Sequence, residues 1–332
     1  MRSHIKLFRY LIVCGMLIFL CAHSQIANGQ VIKNTKIWQG HKYASFTSLE
    51  YFKGYLYCAF REANSHYDVN GNDNGSITIL KSRSGRTWSK HCVIKEAGYD
   101  LRDPKLSITP NNELMLLVQK VKYESGESIV RQSMVGMVPA VKSRQVKLVP
   151  INVIPTIKKN WLWDVTWIND EACGFIYTDR FCYVSSPDGF NYTIKETPNI
   201  TSMPTEAAIL KYGEYVYSLL RRNGNAFWGC LSNSGSWRWN EMNQRIDCPV
   251  LVATSNGIIA AARTWVASKP SVSLLRISPQ DGAAKNIIEL SSSSDCGYPG
   301  VVYREPYLYV SYYQGDNVSS SIYLAKILLK HE

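Results

Sequence analysis

Between residues 30 and 332, apolar positions fall in short runs or alternate with polar ones, each run bounded by Gly, Pro, Asn, Asp or Ser. Apolar residues at helical spacing are almost absent, so the pattern predicts strands joined by tight turns. One unit recurs, a polar turn followed by a strand rich in Tyr, Leu, Val and Ala. It stands at residues 54–60, 113–118, 171–177, 214–220, 257–262 and 306–312. A further strand follows each copy, at 76–81, 129–135, 180–185, 226–231, 271–277 and 320–327. The period is about 50 residues, which is that of a β-propeller blade. One blade cannot bury both faces of its sheet, so six must stack around an axis. The pattern predicts an all-β, six-bladed β-propeller over 30–332 as a single domain, with a strand near 32–38 completing the last blade. A β-sandwich would account for the strands but not for their recurrence.

Residues 1–29 follow a different rule. Arg2, Lys6 and Arg9 precede an apolar run over 11–20, and Ala27 and Gly29 are small residues before Gln30. That is the layout of a cleaved secretory signal, and the run is short for a membrane span. The expected location is secreted or periplasmic; a lipid anchor on Cys21 is the rival reading. Loss of three basic and no acidic residues lowers the formal net charge from +11 to +8. A basic exported protein suits an anionic partner. No Lys/Arg run marks a nucleic-acid surface. Seven cysteines follow residue 29, an odd number without a CxxC pair. Zinc is therefore not expected, and the thiols are expected to be buried, with one or two bridges. No nucleotide, flavin, zinc-protease or serine-hydrolase motif occurs, and no cofactor is expected. The polar stretch 62–75 approaches a calcium loop but lacks Gly at the sixth position and Glu at the twelfth.

Several predicted turns share a composition: Ser82-Arg83-Ser84-Gly85 before Trp88, Ser186-Pro187-Asp188-Gly189, Ser232-Asn233-Ser234-Gly235 before Trp237 and Trp239, and Ser278-Pro279-Gln280-Asp281-Gly282. Ser and Asp side chains bond the turn backbone, and Gly supplies positive φ. These turns resemble degenerate Asp-boxes, the blade-turn motif of the sialidase (neuraminidase) superfamily. Four further stretches carry the resemblance: Arg61-Glu62 with its polar loop, Arg102-Asp103-Pro104, Glu206 followed by Arg221-Arg222, and Arg263 followed by Gly297-Tyr298-Pro299-Gly300. The order Arg, Asp, Glu, Arg, Arg, Tyr spans nearly the whole domain. The family's first-strand Arg-Ile-Pro has no counterpart, since Ser45-Phe46-Thr47-Ser48-Leu49 stands there.

The resemblance implies Tyr298 as nucleophile and Glu206 as its base. A substrate carboxylate beside the anomeric carbon repels a carboxylate nucleophile but not a neutral phenol. A phenol of pKa about 10 needs a base to act at neutral pH. Arg61, Arg102, Arg263 and one of Arg221 and Arg222 would bind an anionic glycan through bidentate bonds, with Arg222 favoured on spacing. Asp103 is a candidate site carboxylate, and the general acid is sought among Asp68, Asp73 and His66. Trp161, Trp163 and Trp167 surround Asp164, and one of them is a candidate sugar platform. The function implied is a monomeric sialidase-like glycoside hydrolase acting on acidic or decorated glycans. The rivals are a non-catalytic carbohydrate-binding propeller and a lyase or other hydrolase built on His66.

Overall fold

The computed structural model describes residues 29–40, 43–66, 75–141 and 145–329, none of them helical. The strands form six sheets in chain order. Blade 1 runs Tyr43–Phe52, Tyr55–Ala63, Ser76–Ser82 and Ser89–Ile94. Blade 2 runs Asp100–Ile108, Leu114–Glu124, Glu127–Met137 and Val149–Pro150. Blade 3 has a divided inner strand, Asn160–Leu162 and Thr166–Ile168, then Glu171–Thr178, Cys182–Ser186 and Asn191–Glu196. Its outer edge is completed by Asn152–Ile154, in parallel pairing. Blade 4 comprises Ala207–Tyr212, Tyr215–Leu220, Phe227–Leu231 and Trp237–Glu241, and blade 5 Asp247–Thr254, Gly257–Val266, Lys269–Ile277 and Ala284–Ser292. Blade 6 takes Asp295–Arg304, Tyr307–Gly315 and Ser320–Leu329 from one end of the described chain, and Gly29–Trp38 from the other. The recurring sequence unit is thus the second strand of every blade, its follower is the third, and the expected ring-closing strand pairs antiparallel with Ser320–Leu329.

Burial follows position in the blade. The second strand of blade 1 is buried over nearly its whole length, because neighbouring blades cover both its faces. The outermost strand Gly29–Trp38 is mostly exposed. The apolar residues form one cluster at each of the six blade junctions. A seventh cluster, with Trp161, Trp163, Cys248 and Tyr298, lies on the axis. All six inner strands line an axial channel of about 300 Å³.

The inner strands share one irregularity. In blades 1, 2, 5 and 6 an extra residue interrupts pairing with the second strand, between Ser45 and Ser48, Arg102 and Lys105, Asp247 and Val250, and Gly297 and Gly300. The first bulged residue has positive φ each time: Phe46 at 58°, Asp103 at 44°, Cys248 at 45° and Tyr298 at 46°. The second is Pro104, Pro249 or Pro299 in three of the four. Proline has no N–H, so it fits the unpaired place in a bulge. A bulge re-aims the side chain it carries, and here it turns four side chains at one level of the axis.

The turns after the third strands lie at the opposite end of the blades. Gly85 N–H donates to Ser82 Oγ at 2.8 Å, and Gly189 N–H to Ser186 Oγ at 2.9 Å. Burial works against the Asp188 carboxylate, but bonds from Asn191, Phe190 and Ser186 outweigh it and lower its pKa to about 2. The expected disulfides are absent: all seven cysteines from Cys58 to Cys296 are free thiols. Strand register separates them. Cys58 pairs with Leu49 and Leu80, Cys92 with Ile79, and Cys182 with Ile176.

Candidate active site

At the bulged end of the axis the blades open into a cavity of about 310 Å³, whose walls include Asp103, Glu206, Tyr298, His66 and five arginines. Glu206 immediately precedes the inner strand of blade 4, and the hairpin register continues through it. Arg221 N–H donates to the Glu206 carbonyl at 2.8 Å, and Thr205 N–H to the Arg221 carbonyl at 3.1 Å. The two side chains are therefore cross-strand neighbours, and Arg221 Nη1 meets Glu206 Oε1 at 2.6 Å. Tyr298 Oη donates to the same oxygen at 2.8 Å. Cys248 N–H donates to Glu206 Oε2 at 2.7 Å, and Tyr298 N–H reaches Cys248 Sγ at 3.1 Å. Adjacent bulges in blades 5 and 6 thus fix the carboxylate and the phenol against each other. Burial, and then the Glu206 charge, raise the Tyr298 pKa well above its ordinary value. The phenol is protonated at rest, with an acceptor in place for its proton.

Asp103 is 5% exposed, and its Oδ1 has no hydrogen-bond partner among the described residues. Burial raises its pKa to about 6, against the pull of Arg102 and with the repulsion of Glu206. His66 sits across the wall in a second polar network. Its Nδ1 lies 2.6 Å from Tyr43 Oη and 3.2 Å from Asp295 Oδ2. Tyr43 and Tyr313 each donate to Asp295 at 2.7 Å. Burial and the nearby Arg102 lower the His66 pKa, while Asp295 opposes the shift. One cavity therefore holds a carboxyl tuned upward and an imidazole tuned downward.

The arginines are placed differently from expectation. Arg221, and not the favoured Arg222, reaches the Tyr298–Glu206 couple, and its Nε also meets Asp247 at 3.2 Å. Strand alternation turns Arg222 away, onto the Phe227 ring at 3.7 Å and Glu241 at 2.9 Å. Its side chain still touches the cavity edge. Arg61 is fully buried and bidentate to Asp100 at 2.8 and 3.0 Å, so it lies beneath the site and not in its wall. Arg102 lines the cavity and shares Asp100 at 3.1 Å. Arg263 lies behind Tyr298, with its Nη2 2.8 Å from Tyr313 Oη, its Nε on the Cys296 carbonyl and its guanidinium 5.5 Å from the Tyr298 ring. Gly297 makes room for it: a Cβ there would stand 2.8 Å from Arg263 Nε. At the bulge of blade 1, Phe46 packs edge-on to Tyr298 at 4.6 Å and to His66 at 5.3 Å. An apolar ring occupies the strand on which the resemblance expects an arginine.

Of the three tryptophans, Trp161 lines the cavity with Tyr177, stacked at 6.0 Å, whereas Trp163 is fully buried and Trp167 faces the axial channel. Asp68 and Asp73 lie outside the described residues. Arg131, Arg245 and Cys248 are site residues that sequence reasoning did not single out. Cys248 had a signal: Asp247-Cys248-Pro249 repeats the spacing of Arg102-Asp103-Pro104 and Gly297-Tyr298-Pro299. Among the described residues no cluster of His, Cys, Asp or Glu is arranged to hold a metal ion, and no helix is long and apolar enough to cross a membrane.

No protein-family model matches the chain, and no curated protein matches its sequence. Solved structures do match. A Dyadobacter fermentans protein of unknown function superposes with a TM-score of 0.78 at 16% identity, over 92% of this chain and 100% of that one. Trypanosoma rangeli sialidase in complex with the inhibitor DANA superposes with a TM-score of 0.66 at 13% identity, over 90% of this chain and 59% of that one. Penicillium chrysogenum α-L-arabinanase complexed with arabinobiose gives 0.63 at 13% identity, over 89% and 98%. The chain thus spans just under three fifths of the sialidase it resembles. The fold is a six-bladed β-propeller of the sialidase-like kind, shared with an arabinanase.

Proposed function

We propose that the protein is a glycoside hydrolase acting on an acidic glycan through a tyrosine nucleophile. The observation that carries this reading is the 2.8 Å bond from Tyr298 Oη to Glu206 Oε1 at the wall of an open cavity. Tyr298 Oη attacks the anomeric carbon as its proton passes to Glu206. Asp103 gives its proton to the departing glycosidic oxygen. Water then attacks the glycosyl–tyrosine and loses its proton to Asp103, while Glu206 returns a proton to the phenolate. Asp103 suits the acid role because burial keeps it protonated to about pH 6. Arg221 holds Glu206 in place and offsets charge on the phenolate as it forms.

The reading includes export, with residues 1–29 removed as a signal and a monomer acting outside the cytoplasm. Mass spectrometry of the exported chain should give Gln30 as its first residue; an uncut chain would refute this part.

A second reading rests on the His66–Asp295 pair. An imidazole with a lowered pKa, oriented by a buried carboxylate, is suited to act as a base. It would serve a lyase abstracting a proton beside a uronate carboxylate. The test is release of 4-methylumbelliferone from sialic acid, uronic acid and neutral glycosides, alongside Tyr298→Phe, Glu206→Gln and His66→Ala. Collapse in the first two variants supports hydrolysis by the tyrosine couple. Collapse in His66→Ala alone, with unsaturated products from uronate oligosaccharides, sinks it in favour of the lyase.

A further inference from the structure

The charges around the cavity are not evenly matched. Four of its arginines face carboxylates: Arg102 meets Asp100 at 3.1 Å, Arg221 meets Glu206 at 2.6 Å, Arg222 meets Glu241 at 2.9 Å and Arg245 meets Asp247 at 2.9 Å. Arg131, near the middle of the third strand of blade 2, has no ion pair among the described residues. Its Nε donates to Ser128 Oγ at 2.7 Å, and its guanidinium lies 5.7 Å from the Trp161 ring. The exposed Lys159 reaches the Ser128 carbonyl at 3.2 Å and adds positive charge to the same corner. A half-buried guanidinium without a carboxylate beside it keeps its capacity for a bidentate anion.

The neighbouring surface is aromatic. Trp161 and Tyr177 stack at 6.0 Å with an interplanar angle of 28° and form the blade 3 wall. Trp161 Nε1 is buried without a hydrogen-bond partner among the described residues. Among the described residues, the blade 1 side offers no comparable place for an acid group. Phe46 stands at the bulge, Arg61 is closed off by Asp100, and Arg263 is taken up by Cys296, Tyr313 and Asp295.

We propose that the blade 2–blade 3 side of the cavity is a subsite for an acidic sugar residue, its ring against the Trp161–Tyr177 wall and its carboxylate or sulfate on Arg131. This rests on the glycan-directed reading above and adds to it where the substrate's charge is held. The acid group then belongs to a sugar lying against blades 2 and 3, and an anomeric carboxylate held by a blade 1 arginine is not needed.

Binding can be read apart from turnover. The probes are D-glucuronate, D-glucose 6-sulfate and D-glucose, measured by saturation-transfer NMR on the whole chain carrying Tyr298→Phe. Both anions should bind more tightly than glucose. Adding Arg131→Gln should weaken the anions at least tenfold and leave glucose unchanged, while Arg131→Lys should keep part of the difference. A stronger effect on glucuronate than on the sulfate would assign the subsite to uronates, and the reverse to sulfated sugars. Anions that bind no better than glucose, or equal binding by Arg131→Gln with an unaltered melting curve, would overturn the proposal. In the enzyme with Tyr298 intact, Arg131→Gln should raise KM and spare kcat. If Tyr298→Phe turned over normally, the nucleophile assignment would fall while the Arg131 result stood.

Discussion

Asp103→Asn separates the stability of the site from its chemistry. The buried carboxyl titrates near 6 instead of near 3.8. Each pKa unit corresponds to about 1.4 kcal/mol, so the folded state disfavours the ionised form by roughly 3 kcal/mol. Because the folded pKa is raised, the stability linked to Asp103 is fully present below about pH 4 and lost as pH rises through about 6. Asparagine has nearly the same shape and does not titrate. The difference in stability, Asp103→Asn variant minus wild type, should therefore grow by about 3 kcal/mol between pH 4 and pH 8. In a domain of this size that is roughly 5 °C of melting temperature. Carboxylates remote from Asp103 titrate alike in both proteins and cancel. Thermal melts of the pair at the two pH values are the assay. An equal melting difference at both would refute a raised Asp103 pKa. Activity should move the other way: with the proton donor gone, kcat should fall by about 10²-fold or more, and less for leaving groups that depart without protonation.

Other variants test the placement of the side chains. Wild-type kcat should decline as pH rises through about 6, where Asp103 loses its proton, and a profile flat from pH 5 to 8 would remove it as the acid. Arg221→Ala leaves Glu206, 4% exposed at its side chain, without its cation, so it should cost about 3 kcal/mol by denaturant melt and abolish turnover. Arg222→Ala should retain kcat, and the opposite ranking would show that Arg222 is the site arginine. Gly297→Ala places a methyl 2.8 Å from Arg263 Nε at a φ of 145°. It should cost about 1–3 kcal/mol of stability and lower kcat by shifting Tyr298, and an unchanged kcat would show that Arg263 does not position the nucleophile.

The blades could be read from the sequence because each repeats a local pattern, and so could the closing strand, because a ring of blades needs its last sheet completed. The choice between Arg221 and Arg222 was open to simple counting. The hairpin pairs Tyr212 with Tyr215 and Ala207 with Leu220, so the next rung joins Glu206 to Arg221. The bulges were harder to see, because a bulge is a property of two strands in register and not of one. Their mark was the proline that follows Asp103, Cys248 and Tyr298, visible only once the inner strands are aligned. The burial of Arg61 was not visible at all. Its partner Asp100 lies 39 residues away, in the next blade. Arg131 and Arg245 lie outside the inner strands, and which way they turn depends on how neighbouring blades meet.

The four-fold bulge also bears on how such a site can change. Phe46, Asp103, Cys248 and Tyr298 are an apolar ring, an acid, a thiol and a phenol held by the same backbone fault in four different repeats. Each is like a tool in one of several identical sockets arranged about a turret. The sockets belong to the scaffold, and the tools are single residues. Exchanging one alters the chemistry presented at the axis and leaves the pairing that holds the blade untouched. Propellers with this frame can therefore differ in substrate and reaction through single substitutions at the socket positions, while their strands, turns and ring closure stay the same.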